Sequence, residues 1–357
     1  MIRVLVVEDS PVARDLLVHI LKSEPGIEVI GTAENGEEAV EKAVLEKPDV
    51  ITMDIHMPKM NGFEATQKIM ETKPTPIVIA TGSADAREVS ISFRAIEAGA
   101  VSVIAKPKGI GHPQYERDVK ALIQTVKLMS EVKVVRRWAY VHKGMEVPVS
   151  IPTGGISASV PEIRIAAIGA STGGPVVLQT ILSRLPRDFP VPLVIVQHMA
   201  AGFISGFVEW LNQSSGCPVH IAAHNEYLLP GHAYIAPDEF QMGVSGSRLV
   251  LSNDAPVNGL KPSVSYLFRT VADVYGKTAA GILLTGMGTD GAKELKLLKQ
   301  KGAVTIVQDE ESSVVHGMPG EAMTMNAAGY VLPPEKIASL LISLTQKRRR
   351  YEESLGQ

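Results

Sequence analysis

Ser171 stands in Gly169-Ala170-Ser171-Thr172-Gly173, a G-x-S-x-G run between the apolar stretch Ile163–Ile168 and Pro175, which opens a helical pattern. The glycines permit a tight strand-to-helix turn. A serine there is presented at a helix N-terminus, where backbone N–H groups can stabilise a developing oxyanion. A serine hydroxyl is a poor nucleophile until a base takes its proton, and that base works best when a carboxylate fixes its tautomer. Among nine histidines, His198 follows the apolar run Leu193–Gln197, whereas His220, His224 and His232 lie in or near a strand or turns. Asp290 ends Thr285-Gly286-Met287-Gly288-Thr289-Asp290, after another apolar run. Strand ends bearing Ser, His and Asp point to acyl transfer. Their order is not the Ser–Asp–His of the α/β-hydrolases, which argues against that superfamily. A glycine-rich turn would also suit a dinucleotide phosphate, but no Tyr-x-x-x-Lys pair follows to do the proton work of a short-chain dehydrogenase.

A second set of polar residues lies near the N-terminus. Glu8 and Asp9 follow Arg3–Val7, Asp54 follows Val50–Met53, Thr81 follows Ile77–Ala80, and Lys106 with Pro107 follows Val101–Ala105. Three carboxylates at one sheet edge repel one another unless compensated. A divalent cation with oxygen ligands does this, helped by a lysine ammonium. His56 reads as a solvated loop side chain.

Both sets need elements that bring strand ends together. Residues 1–125 alternate short β-branched runs with amphipathic helical spacing, for example Ala13, Leu16, Leu17, Ile20 and Leu21 after the N-cap Ser10 and Pro11. This predicts a doubly wound α/β domain with a parallel sheet. The alternation resumes over 161–357, with strands at 163–168, 193–197, 219–222, 232–236, 249–252, 278–284 and 303–307. Helices are expected over about 175–185, 202–212, 264–274, 291–301 and 334–345. Between the two, 126–160 lacks a sustained period and reads as an interdomain linker, with Trp138 and Tyr140 free to pack and Arg136-Arg137 as a solvated helix end.

A chain of 357 residues with 45% hydrophobic content is long enough for two cores. A net charge of −3 gives no global field favouring nucleic acid, and Lys347–Arg350 reads as a charged tail. The single cysteine, Cys217, excludes an intramolecular disulfide, fits a reducing compartment and reads as structural. The start MIRVLVVEDS is not a signal peptide, and no run approaches the roughly 18 apolar residues of a membrane span. A soluble cytoplasmic protein is expected, without membrane insertion and without a nucleic-acid partner.

Residues 1–125 resemble a response-regulator receiver domain through Val6-Val7-Glu8-Asp9-Ser10, Asp54-Ile55-His56-Met57-Pro58 with Asn61-Gly62, Thr81, Gly99-Ala100 and Lys106-Pro107. The resemblance implies a flavodoxin-like fold. It also implies that Asp54 accepts a phosphoryl group from a sensor histidine kinase, that Glu8, Asp9 and Asp54 hold Mg²⁺, and that Thr81 and Lys106 contact the phosphoryl oxygens. Residues 161–357 resemble the catalytic domain of chemotaxis protein-glutamate methylesterases of the CheB type. The matching runs are Ile168–Pro175, Gln197-His198-Met199 with Gly202-Phe203, Leu229–Pro237, Pro262-Ser263-Val264, Leu284–Gly291 and Gly317-Met318-Pro319. That resemblance implies a Rossmann-like α/β domain with Ser171, His198 and Asp290 as its triad, and Thr172 and Met287 lining the site. The implied activity is a phosphorylation-activated, serine acyl-enzyme hydrolysis of glutamate γ-methyl esters on the cytoplasmic domains of chemoreceptors. Glutamine deamidation accompanies it, and the ester chemistry needs no cofactor. Four positions depart from the family pattern: Val103 for an aromatic, Ser265 for an aspartate, His316 for an aromatic and Gly320 for a basic residue.

Overall fold

Runs of aliphatic and β-branched residues buried on both faces make the strands, and each is followed by a helix with one apolar stripe. In this computed structural model residues 1–82, 86–132, 134 and 162–355 are described, with side chains except at 86–88 and 346–355. The greater part of the expected linker, Trp138, Tyr140, Arg136 and Arg137 included, lies outside the described residues.

The N-terminal unit alternates β1 (Ile2–Val7), α1 (Pro11–Ser23), β2 (Ile27–Ala33), α2 (Gly36–Glu46), β3 (Val50–Met53), α3 (Gly62–Thr72), β4 (Ile77–Thr81), α4 (Ala86–Glu97), β5 (Ser102–Ala105) and α5 (Tyr115–Ser130). The sheet is parallel, in the order β2-β1-β3-β4-β5. Ser10 caps α1 by accepting from the Ala13 N–H, and Pro11 opens the helix as its spacing predicts. The reversal of strand order between β1 and β3 opens a crevice at their carboxyl ends, where Glu8, Asp9 and Asp54 follow.

The C-terminal unit runs β6 (Ile165–Ala170), α6 (Gly174–Leu182), β7 (Leu193–Gln197), α7 (Ile204–Ser214), β8 (Val219–Ile221), β9 (Ala233–Ile235), β10 (Gln241–Ser245), β11 (Arg248–Ser252), α8 (Val264–Val274), β12 (Ala279–Leu283), α9 (Ala292–Gln300), β13 (Val304–Gln308), α10 (Gly317–Thr324), β14 (Tyr330–Leu332) and α11 (Pro334–Leu355). Seven strands form a parallel sheet in the order β14-β13-β12-β6-β7-β9-β8, and β10 pairs with β11 as an antiparallel hairpin. Here the reversal lies between β6 and β12, so the loops carrying Ser171 and Asp290 flank it.

The first strand of this unit differs from its expected span, starting and ending two residues later. Gly169 is not the start of the turn; it pairs with Leu283 and Val196 inside β6, and it is a glycine there because a Cβ would come 2.3 Å from a Val264 methyl. Small residues let α8 press against the strand. Strand β10, strand β14 and helix α10 were not foreseen. β10 carries Gly243, whose missing side chain admits Thr270; β14 is a three-residue edge strand; α10 contains Gly317, Pro319 and Gly320, which break a helical reading.

Apolar clusters cover both faces of each sheet, and one of them crosses between the units. Val89, Phe93 and Ile96 of α4 are buried together with Phe207, Trp210 and Leu211 of α7. The Phe93 ring lies 5.2 Å from Phe207 and 5.5 Å from Trp210 between centroids, and Trp210 Nε1 donates to Glu97 Oε1 at 2.8 Å. Val103, where receivers often carry an aromatic, packs against this same cluster. Among the described residues no helix is long and apolar enough to cross a membrane.

Candidate functional site

Ser171 follows β6 directly, and its neighbours pin it from both sides. Its N–H donates to Thr285 O (3.0 Å) beyond β12, and His198 N donates to Ala170 O (3.0 Å) beside β7. Gly173 closes the turn at φ +79°, a region where a side chain is strained. The three residues that sequence reasoning joined are thus brought to one sheet edge. His198 Nε2 lies 3.0 Å from Asp290 Oδ2, leaving Nδ1 as the nitrogen available to a substrate-side partner. Ser171 Oγ and the His198 ring are not hydrogen-bonded to each other in this structure, a looseness common before substrate arrives. Thr172 is half-buried and Met287 exposed; their backbone N–H groups meet no acceptor among the described residues.

Asp290 is buried and fully occupied. Besides His198 it accepts from Ser263 Oγ (2.8 Å), Val264 N (2.7 Å) and Ser265 N (3.1 Å), so its carboxylate sits on the N-terminus of α8. Burial pushes the carboxyl up, but the hydrogen bonds from His198, Ser265 and Ser263 and the histidine's charge outweigh it and hold it down at about 2. A carboxyl with a folded value below the unfolded one (about 3.9) adds stability when ionised. That contribution is complete above about pH 4 and is lost as pH falls through about 2, worth ~2–3 kcal/mol. Asp290→Asn removes it. The stability gap between wild type and Asp290→Asn in urea unfolding is expected to shrink as pH falls from about 5 to about 2; curves that stay parallel would contradict this carboxylate's role.

Three partners of the site take roles that only the fold reveals. Gln197 Nε2 donates to both Ser171 O and His198 O at 2.8 Å, bridging the loops that carry them. Thr285 Oγ1 donates to Thr172 O and accepts from Val315 N. Ser265, a departure from the family pattern, accepts the Gly291 N–H at 3.0 Å and so braces the residue after Asp290. A glutamine at a strand end beside the histidine was the one signal that could have been read; the serines are found only through the fold. The other departures are a matched pair, since a Cβ on Gly320 would come 3.1 Å from the His316 ring.

Gly286 marks where the loop after β12 touches the serine. A Cβ there would lie 2.6 Å from Ser171 Cβ and 2.5 Å from Met318 Sδ. Gly286→Ala must displace Ser171, and misplacing a reacting atom by about 1 Å costs roughly 10²-fold. The expected result is a kcat loss of that size with an unchanged circular dichroism spectrum.

In the N-terminal unit Glu8, Asp9 and Asp54 bring carboxylate oxygens within 4.8 Å of one another, with Glu8 and Asp54 buried and Asp9 exposed. Lys106 Nζ lies 2.8 Å from Glu8 Oε2 and 2.9 Å from Asp54 Oδ1. Burial raises the Glu8 carboxyl, and the Asp54 charge adds to this against the pull of Lys106. Burial lowers the Lys106 ammonium, but its bonds to Glu8 and the Asp54 charge raise it overall. Thr81, the last residue of β4, is buried beside Lys106, whose N–H donates to its carbonyl at 2.8 Å. The donor set is three hard oxygen groups with more negative charge than one lysine cancels, which suits a small divalent cation. His56 is exposed. Cys217 is buried, its thiol pushed up to about 11 by burial, in keeping with a structural role.

The two units meet beside the second of these sites. A cavity of ≈ 550 Å³ beside His198 is bordered by Arg117 of α5, a residue of the other unit. Val314 and Val315 pack against the N-terminal apolar cluster, and Val314 also fills the space where Gly173 would carry a side chain.

Residues 4–112 match the model of the response regulator receiver domain, and 166–341 that of the CheB methylesterase. The chain is 56% identical over 351 residues to a protein-glutamate methylesterase/protein-glutamine glutaminase of Geobacter metallireducens, covering 98% of this chain and 100% of that one. It is 58% identical over 349 residues to one of Nitrosospira multiformis, covering 98% of each. The crystal structure of the Thermotoga maritima CheB methylesterase catalytic domain is 37% identical, with a TM-score of 0.49, over 51% of this chain and 98% of that one. With a receiver in front and Ser, His and Asp at one edge of the second sheet, aligned end to end with such relatives, the chain belongs to the protein-glutamate methylesterase/protein-glutamine glutaminase family.

Proposed function

We propose that Ser171 is the nucleophile, His198 the base and Asp290 its orienter in hydrolysis of glutamate γ-methyl esters on chemoreceptor cytoplasmic domains. The observation that carries this is the His198 Nε2–Asp290 Oδ2 contact at 3.0 Å, set beside a serine that the Gln197 amide ties to the same histidine. Ser171 Oγ attacks the ester carbonyl while His198 Nδ1 takes its proton. The Thr172 and Met287 N–H groups, otherwise without acceptors, receive the oxyanion. His198 returns the proton to the departing methoxide, so methanol leaves. Water, deprotonated by the same nitrogen, then releases the glutamate and restores the serine. A receptor glutamine follows the same path with ammonia as leaving group. Incubation with a receptor fragment carrying both groups is expected to yield glutamate at both kinds of position. Conversion of neither would overturn the reading.

The division of labour follows 1–125 as receiver, 126–160 as linker and 161–357 as catalytic domain. Asp54 is the phosphoacceptor for a sensor histidine kinase, and Thr81 and Lys106 stand at the adjoining strand ends to meet the phosphoryl oxygens. Glu8, Asp9 and Asp54 would hold Mg²⁺, which when bound supplies charge neutralisation for phosphoryl transfer. The receiver represses by covering the catalytic edge, a reading supported by the α4–α7 aromatic cluster and by Arg117 at the cavity beside His198. Chelation with EDTA is expected to abolish stimulation by a phosphodonor and to leave unstimulated methanol release unchanged. Loss of the unstimulated rate as well would put a metal in the ester chemistry.

A further inference from the structure

The cavity beside His198 holds an electrostatic arrangement that the ester chemistry does not use. From the catalytic unit its charged lining is Asp238, Glu239 and Lys261. Lys261 is already engaged, its ammonium on Asn253 Oδ1 at 2.5 Å, and Glu239 is exposed. Asp238 is the half-buried one. Its Oδ2 accepts the Gly202 N–H at 2.7 Å, and no other hydrogen bond reaches the carboxylate among the described residues. Burial raises its carboxyl overall and the Glu239 charge adds to this, against the Gly202 bond and the Arg117 charge, which lower it. A partly desolvated carboxylate with a free oxygen favours a cation. Arg117, from the receiver, also borders the cavity, exposed and without an ion pair to Asp238 among the described residues.

The placement of Asp238 ties it to catalysis. It follows β9, and its bond to Gly202 fastens its loop to the loop that leaves β7 with His198. A side chain bound at Asp238 therefore lies against the loop of the catalytic base. On a helical substrate, residues three or four apart share a face, about 5–6 Å between Cβ atoms. His198 itself lines this cavity, so a neighbour on the ester's own helical face is the group to place there.

We propose that Asp238 forms a subsite for a cationic side chain, Lys or Arg, borne one helical turn from the esterified glutamate, and that Arg117 stands across the approach to it while the receiver is docked. The proposal rests on reading Ser171, His198 and Asp290 as the esterase. Arg117 then keeps the substrate's cation out of the cavity by bulk and like charge.

The test uses the full chain with acetyl phosphate and Mg²⁺, and two forms of a methylated receptor cytoplasmic fragment, with Lys or Gln one turn from the ester. The Lys form is expected to show a KM lower by roughly tenfold at similar kcat. Asp238→Asn, which keeps an acceptor for the Gly202 N–H, should erase that difference. Glu239→Gln should preserve it. Arg117→Ala without phosphodonor should release methanol several-fold faster than wild type. Equal KM values for the two forms in wild type, or a difference that survives in Asp238→Asn, would overturn the subsite. No methanol from either form with wild type would overturn the esterase reading instead.

Discussion

Ser171→Ala is expected to lower kcat for methanol release by about 10⁴–10⁶ while leaving the fold intact. The side chain is half-buried, and its Oγ makes no hydrogen bond on which the local structure depends. The turn is held by backbone bonds to Thr285 O and by the Gln197 amide, which an alanine keeps. A loss in kcat without loss of stability therefore isolates the nucleophile. His198→Ala is expected to cost nearly as much, and the double variant little more than either alone, because nucleophile and base act as one unit. Retention of most methanol release by Ser171→Ala would remove the serine from the mechanism.

Asp54→Asn is expected to abolish phosphodonor stimulation, and a second change is expected to restore activity without any phosphodonor. Phe93 lies on α4, buried between the units against Phe207 and Trp210. Truncating such a ring costs ~3 kcal/mol or more, enough to shift a docking equilibrium about a hundredfold. With the proposed phosphoacceptor gone, Asp54→Asn is expected to stay at the unstimulated rate. In Asp54→Asn with Phe93→Ala the face no longer holds, and the rate should rise roughly tenfold or more toward the stimulated level. The assay is methanol release with and without acetyl phosphate. A double variant as slow as Asp54→Asn alone would show that the α4–α7 contact does not repress.

Sequence carried much of this because function sits where a parallel sheet puts it. Glu8, Asp9, Asp54, Ser171 and His198 each follow a buried apolar run by a residue or two, and strand ends converge by construction. Asp290 lies further out, yet the glycines before it signalled a loop that approaches closely. Gly169 shows the limit: a glycine before a serine looks like a turn, whereas the space it opens is taken by Val264. The support of the site was not readable. Ser263 and Ser265 reach Asp290 from a helix about twenty-five residues earlier, and only the packing of α8 on β6 brings them together. Nor was the docking of α4 on α7, since Phe93 and Trp210 each read as one more apolar position on an amphipathic helix.

The most direct test is methanol release from a methylated chemoreceptor cytoplasmic fragment by the full-length protein, with and without acetyl phosphate and Mg²⁺. A slow unstimulated rate, a marked rise with the phosphodonor, no rise in Asp54→Asn and no release in Ser171→Ala are expected. Release that ignores the phosphodonor, or that survives loss of Ser171, would contradict it.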